Sequence, residues 1–135
     1  MENFLSNKII WKGRPIVDES NRIRKINLQL MEIIGHKFNF HFGENAVYQL
    51  YFIDDKHLDV TVVKDFNYPL GTLSHFEIQM TEIRPNVYMV TWIEPDTKNT
   101  VTHLEDYENN IAYTNITDIA SNQFCNLKGT IERID

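Results

Sequence analysis

The sequence predicts a mainly β fold, an antiparallel meander that closes into an eight-stranded barrel behind an N-terminal helix. After Gly35, apolar and polar residues alternate with the period of two that half-buried strands require. Eight such segments follow at nearly even spacing, and most breaks between them are short and rich in Asn, Asp, Gly or Pro. Closure removes exposed sheet edges, and eight strands leave an interior just wide enough for side chains or one small ligand.

The 135 residues predict a single domain, in which residues 1–34 form an arm and a helix. Ser20 is placed to cap the start of a helix over residues 21–34, and Gly35 to cap its end. We expect its apolar stripe to pack against the barrel, while a partner-binding helix is the alternative. The stripe consists of Ile23, Ile26, Leu30, Ile33 and Ile34.

Residues 35–133 are predicted to form the barrel. The longest connection, residues 64–72, contains Asn67, Pro69 and Gly71 and is expected to act as a flap over one barrel mouth. Turn residues such as Pro95 and Asp96 separate the other segments. The strands are predicted at residues 37–42, 46–53, 57–63, 75–83, 86–94, 100–107, 111–116 and 124–131.

Composition argues against several classes of partner. The formal net charge is −6 and no long run of Lys or Arg is present, so neither nucleic acid nor a membrane surface is an expected partner. Lys8, Lys12 and Arg14 interrupt the first apolar residues, which predicts a cytoplasmic protein. Cys125 is the only cysteine, so no internal disulfide can form.

Glu94 is the candidate for acid/base chemistry. In the strand over residues 86–94 it shares a face with Tyr88 and Trp92. Turned inward, its carboxyl group would be desolvated and its pKa raised towards neutrality, whereas the alternative is a strand-end Glu in water. His103, on the next strand, is a candidate partner.

The other polar residues give less support for a catalytic, metal-binding or cofactor-binding site. Glu105 and Asp106 are expected on a wet outer face. The five His residues are scattered without an HExxH motif, which predicts no metal site. The chain has no GxSxG motif and no glycine-rich phosphate loop, and we expect no cofactor.

Four segments of the chain resemble the MoaF-like family, and the resemblance spans about residues 35–133. They are Val87–Pro95, Thr100–His103, Tyr113–Thr117 and Leu127–Thr130. The resemblance implies a lipocalin-like (calycin) barrel, in a family whose biochemical role is poorly defined.

The V-Y-x-V-x-W-x-E-P run is also similar to phenolic acid decarboxylases, which share that barrel. That similarity implies an inward Glu94 acting in proton transfer. Those enzymes hold the substrate carboxylate with two tyrosines and an arginine, but this chain has Phe40 and Phe42 at the matching positions and no Arg over residues 70–73. Without these donors a buried substrate carboxylate is uncompensated, so the usual decarboxylase is not expected.

We therefore expect a barrel that binds a small hydrophobic or aromatic ligand, with Glu94 as polar anchor. One alternative is a cofactor-independent lyase, isomerase or cyclase using Glu94 and His103. Another is a protein-interaction barrel without a cavity. A homodimer is an expectation at the level of the family. The expected ligand-binding residues are Phe38, Phe40, Phe42, Tyr48, Tyr88, Trp92 and Tyr113.

Overall fold

The computed structural model describes residues 32–135, which form one antiparallel sheet of nine strands. The mainly β class is thereby confirmed. The strands are β1 (Lys37–Gly43), β2 (Ala46–Phe52), β3 (His57–Lys64), β4 (Leu73–Glu77), β5 (Gln79–Arg84), β6 (Val87–Ile93), β7 (Thr100–Asp106), β8 (Ile111–Asp118) and β9 (Gln123–Arg133).

The sheet curls into a nearly closed barrel. Its order is β4-β3-β2-β1-β9-β8-β7-β6-β5, so the pairing of β1 with β9 joins the first and last strands. The edge strands β4 and β5 are consecutive, with only Ile78 between them. Across the remaining gap, Phe76 of β4 stacks on Trp92 of β6 with ring centroids 5.5 Å apart. We call this gap between β4 and β6 the seam.

The strand count differs from the prediction because the segment expected as one strand over residues 75–83 is divided at Ile78. Its first half pairs with β3 and its second half with β6. The buried Ile78 pairs with neither and donates its N–H to the carbonyl oxygen of Lys56 at 2.8 Å. Strands of a barrel tilt relative to its axis, so a strand that passes from one neighbour to the other is interrupted where the pairing changes.

The predicted N-terminal helix lies, up to residue 31, outside the described residues. Residues 32 and 33 are helical, and Gly35 has φ +81°, the left-handed conformation that commonly follows a helix end. Ile33 is buried in the barrel core and Gly35 donates its N–H to the carbonyl oxygen of Phe52 at 2.6 Å. This end of the barrel is therefore covered, and we call it the closed end.

The opposite end carries the β1–β2, β3–β4, β6–β7 and β8–β9 connections, and we call it the mouth. Inward-facing side chains become more exposed towards it. Phe40 is fully buried but Phe42 only partly, and Leu50 is buried while Tyr48 is partly exposed. The side chains of the interior are thus least covered at the mouth. Among residues 32–135 no helix is long and apolar enough to cross a membrane.

Gly129 of β9 allows β1 to approach β9 closely near the mouth of the barrel. A Cβ atom at this position would overlap the carbonyl oxygen of His41 and lie 2.7 Å from Phe42 Cδ1. Since one of these neighbours is backbone, the clash cannot be relieved by a rotamer change alone. The close approach of β1 and β9, which completes the sheet, therefore depends on glycine here.

We predict that Gly129→Ala lowers the free energy of unfolding by about 1–3 kcal/mol, because the added methyl group forces β1 away from β9. Urea unfolding of both proteins measures the difference. Asn126→Ala, an exposed change on the same strand, is the matched control and should stay within about 0.5 kcal/mol of wild type. Equal stability of Gly129→Ala and wild type would show that the strands separate without cost.

Candidate functional site

Strand β7 directs two polar side chains, those of His103 and Glu105, into the barrel interior. Val101, His103 and Glu105 alternate inward, and their partners on β6 are Trp92, Val90 and Tyr88. Glu105 is 0% exposed and His103 5% exposed. The expectation that Glu105 faces water is therefore wrong, because strand parity places it on the same face as Val101 and His103.

Two donors hold the buried Glu105 carboxylate. His103 Nδ1 lies 2.9 Å from Glu105 Oε2, and the Tyr107 hydroxyl donates to Glu105 Oε1 at 2.6 Å. Burial, followed by the negative charge of Glu105, raises the pKa of Tyr107 well above its usual value. These three residues form a continuous polar chain, the Tyr107–Glu105–His103 chain, that runs from the β7–β8 turn into the interior.

Three aromatic rings enclose the His103 imidazole. Its ring centroid lies 5.6 Å from that of Phe40, in a stacked arrangement, and edge contacts follow with Trp92 at 4.9 Å and Phe42 at 5.7 Å. With Glu105 as a carboxylate, Nδ1 carries the hydrogen and Nε2 is left as an acceptor. Within residues 32–135, Nε2 has no hydrogen-bond partner.

Further polar atoms in the barrel interior are buried without a hydrogen bond to any described residue. They are Trp92 Nε1, Thr114 Oγ1 and the Tyr88 hydroxyl. Burial raises the pKa of Tyr88 to about 12, with a further contribution from the charges of Glu82 and Glu32. An unsatisfied buried polar group costs about 1–3 kcal/mol, so such groups are normally satisfied by ordered water or a ligand.

At the mouth, Tyr48 connects the barrel wall to the β3–β4 connection, residues 65–72. Its hydroxyl donates to Asp65 Oδ2, while Asp65 Oδ1 accepts the N–H of Asn67 at 2.7 Å. Burial, and then the bond to Asp65, raise the pKa of Tyr48 well above its usual value; the charges of Cys125 and Glu94 add to the shift. Tyr48 and Asp65 are therefore bound to each other at the mouth, where β9, which carries Cys125, begins and β6, which Glu94 follows, ends.

Glu94 lies at the rim of the mouth, just beyond the end of β6. It continues the face of Tyr88 and Trp92, but its side chain is only partly buried and its Oε1 accepts a hydrogen bond from Thr97 Oγ1 at 3.0 Å. Glu94 is thus held by the β6–β7 turn. The predicted pair of Glu94 and His103 occupies different depths of the same interior.

Six of the seven aromatic residues expected to bind a ligand face the interior. Phe38 packs edge-on against Tyr107 near the closed end, with centroids 5.2 Å apart. Phe40, Tyr88 and Trp92 lie deeper than the partly exposed Phe42 and Tyr48. Tyr113 is not brought together with them: it is 44% exposed on the outer face, with Lys128 Nζ 5.9 Å from its ring centroid.

A family model described as MoaF-like matches residues 34–132. The chain belongs to the MoaF-like family. Among solved structures, it is similar to that of "a putative beta-lactamase from Burkholderia vietnamiensis", with a TM-score of 0.67 and 20% sequence identity over 76% of this chain and 95% of that chain. At this identity the likeness shows a shared fold. No curated protein matches the chain.

Four residues near the candidate site of this MoaF-like protein were not predicted from the sequence as site residues: Glu105, Tyr107, Thr114 and Asp65. For the first two, a signal was present in the sequence. Val101, His103, Glu105 and Tyr107 are spaced two residues apart, so a β-strand places all four on one face. No group of three or more His, Cys, Asp or Glu side chains in the described part of the chain is arranged to hold a metal ion. The site therefore offers hydrogen-bonding and proton-accepting groups in aromatic surroundings.

We predict that Tyr107→Phe lowers the free energy of unfolding at neutral pH by about 1–3 kcal/mol, since it deprives the buried Glu105 carboxylate of one donor. A raised folded-state pKa stabilises the protein below the unfolded pKa of about 10 and loses that contribution as pH rises through the folded value. The gap between wild type and Tyr107→Phe should therefore narrow above about pH 10.

Urea unfolding across the alkaline range measures both effects. Tyr113→Phe, which removes a hydroxyl from the outer face, should leave stability nearly unchanged at every pH. If Tyr107→Phe were as stable as wild type at neutral pH, the second hydrogen bond to Glu105 would contribute nothing.

Proposed function

We propose that this MoaF-like protein binds a small, largely aromatic or apolar molecule in the mouth of its barrel, with one polar group of the ligand directed at His103. The Tyr107–Glu105–His103 chain is the observation that carries the proposal. It holds a single imidazole nitrogen without a partner among the described residues, and it does so in an otherwise aromatic interior.

The energetics of burial favour a functional role for this chain. Removing a carboxylate from water costs several kcal/mol, and a well-packed apolar side chain in its place is often neutral or stabilising. A barrel core therefore gains little stability from Glu105 and His103. What the pair supplies is an oriented hydrogen-bonding group at a defined depth, which suits selection of a ligand.

The shape and chemistry of the mouth indicate the class of ligand. Its inward side chains include Phe42, Tyr48 and Ile116, which offer apolar and aromatic contact. Deeper in the interior, the buried Thr114 Oγ1 and Trp92 Nε1 lack partners among residues 32–135. A compact ring with one hydroxyl or carbonyl group fits this combination, and Glu94 at the rim supplies a second polar contact.

A second candidate function is proton-transfer catalysis without a cofactor. The observation that favours it is the fixed orientation of His103, whose Nδ1 is bound by Glu105 while Nε2 is left to accept a proton. Glu94, at the rim, would then act as the second acid/base group. Substrate turnover, measured once a ligand class is known, separates this function from binding alone.

The proposal is tested by a thermal-shift screen of phenols, indoles, aromatic aldehydes and aliphatic alcohols of similar size. A ligand that binds only the folded state adds about 2.7 kcal/mol of stability at about 100 times its Kd, so modest affinity is detectable. We expect aromatic compounds with one polar group to raise the midpoint of wild type. His103→Gln should weaken their binding about tenfold, the loss typical of one buried hydrogen bond.

Glu94→Gln tests the rim contact and should cause a smaller loss, because Glu94 is partly in solvent. Tyr113→Phe is the control on the outer face and should bind as wild type does. Because His103→Gln could disturb the core, the single Cys125 offers a second test: alkylation at the mouth should block binding. The proposal fails if no compound stabilises wild type, or if His103→Gln and the alkylated protein both bind like wild type.

A further inference from the structure

A groove of ≈ 920 Å³ lies along the seam, and strands β3 to β7 contribute to it. Phe76 and Trp92, stacked across the seam, lie in its wall together with Ile53, Ile93 and Pro95. Its volume is in the range typical of small-molecule sites. Its polar residues on β3, β4 and β5 face outward from the barrel, whereas the His103 imidazole faces the interior.

The charges in the groove have one sign. Among residues 32–135, Asp59 and Glu77 line it and no Lys or Arg does. Asp59, with a side chain 19% exposed, lies on β3 opposite His75 of β4, and its Oδ1 is 2.5 Å from His75 Nδ1. Asp59 Oδ2 and the Glu77 carboxylate have no hydrogen-bond or ion-pair partner within residues 32–135.

A smaller pocket of ≈ 550 Å³ continues the groove and shares His57, Glu77 and Gln79 with it. It adds Asp55 and Lys56, and Lys56 is the only Lys or Arg that the described part of the chain contributes to the combined lining. His57 is held by Asp54, with Nδ1 2.8 Å from Oδ1. Three carboxylates and one ammonium group therefore face the combined space, which favours a cation.

We propose that the seam groove binds an organic cation, an amine or quaternary ammonium group attached to an aromatic or branched apolar body. The charge comes from the Glu77 carboxylate and from Asp59, whose Oδ1 is paired with His75 while its Oδ2 has no partner within residues 32–135. The Phe76 and Trp92 rings provide apolar contact and, over a ring face, cation–π attraction. A neutral molecule gains only the apolar contact, and an anion meets repulsion from both carboxylates.

Amine ligands also fit the groove better than a bare metal ion. No set of three or more metal-binding side chains converges in residues 32–135, and most of the groove wall is apolar or neutral. An alkylammonium group needs only one or two carboxylates and tolerates apolar neighbours. The groove thus offers one or two carboxylates to attract a cation and a large apolar surface to contact the rest of the ligand.

The test uses three probes that share one aromatic ring: benzyltrimethylammonium, benzyl alcohol and benzoate. Titration into the ¹⁵N-labelled full chain, followed by amide chemical shifts, gives both affinity and location. We expect saturable binding of benzyltrimethylammonium with shifts on β3, β4 and β6 around Asp59, Glu77 and Trp92. Benzyl alcohol should bind about tenfold more weakly, and benzoate more weakly still.

The variant Asp59→Asn/Glu77→Gln should weaken binding of the cation about tenfold or more, while its thermal midpoint verifies folding. Glu44→Gln, an exposed change at the β1–β2 turn, removes a carboxylate elsewhere and should bind the cation as wild type does. The proposal is overturned if the folded double variant binds the cation as tightly as wild type, or if benzyl alcohol equals the cation. Shifts confined to His103 and Phe42 would also overturn it, since they place the cation in the mouth.

Discussion

The buried carboxylate of Glu105 is the constraint on which the arrangement of the interior depends. A lone carboxylate in an aromatic core would be strongly destabilising, so both of its oxygens must be satisfied. Tyr107 and His103 supply the donors, at 2.6 and 2.9 Å. These bonds fix the imidazole between Phe40, Phe42 and Trp92, and thereby fix the direction of its second nitrogen.

The closure of the sheet into a barrel is the second constraint. The contacts that close it differ between the β1–β9 pair and the β4–β6 seam. Between β1 and β9 closure is made by ladder hydrogen bonds and by the absence of a side chain at Gly129. Between β4 and β6 there is no ladder, and the Phe76–Trp92 stack takes its place. The barrel therefore has one side sealed by backbone and one side closed only by side chains, where a groove remains.

Most of the fold was predictable because period-two alternation and turn residues are local signals. The division at Ile78 was not, since it depends on a change of pairing partner that alternation cannot report. Alternation also placed Trp92 and Glu94 on one face without revealing how far the mouth exposes Glu94. Glu105 was misassigned because a charged residue is rarely buried, and its two donors become visible only when β7 and its turn are seen together.

The Trp92 side chain contacts two compartments, the barrel interior and the seam groove. Its ring centroid lies 4.9 Å from that of His103, and the same ring lines the groove along the seam. A shift of this ring would change both compartments at once. If occupancy on one side alters affinity on the other, the coupling free energy must be identical in both directions. A single indole would then make the proposed binding at the mouth and the proposed binding in the seam groove thermodynamically dependent on each other.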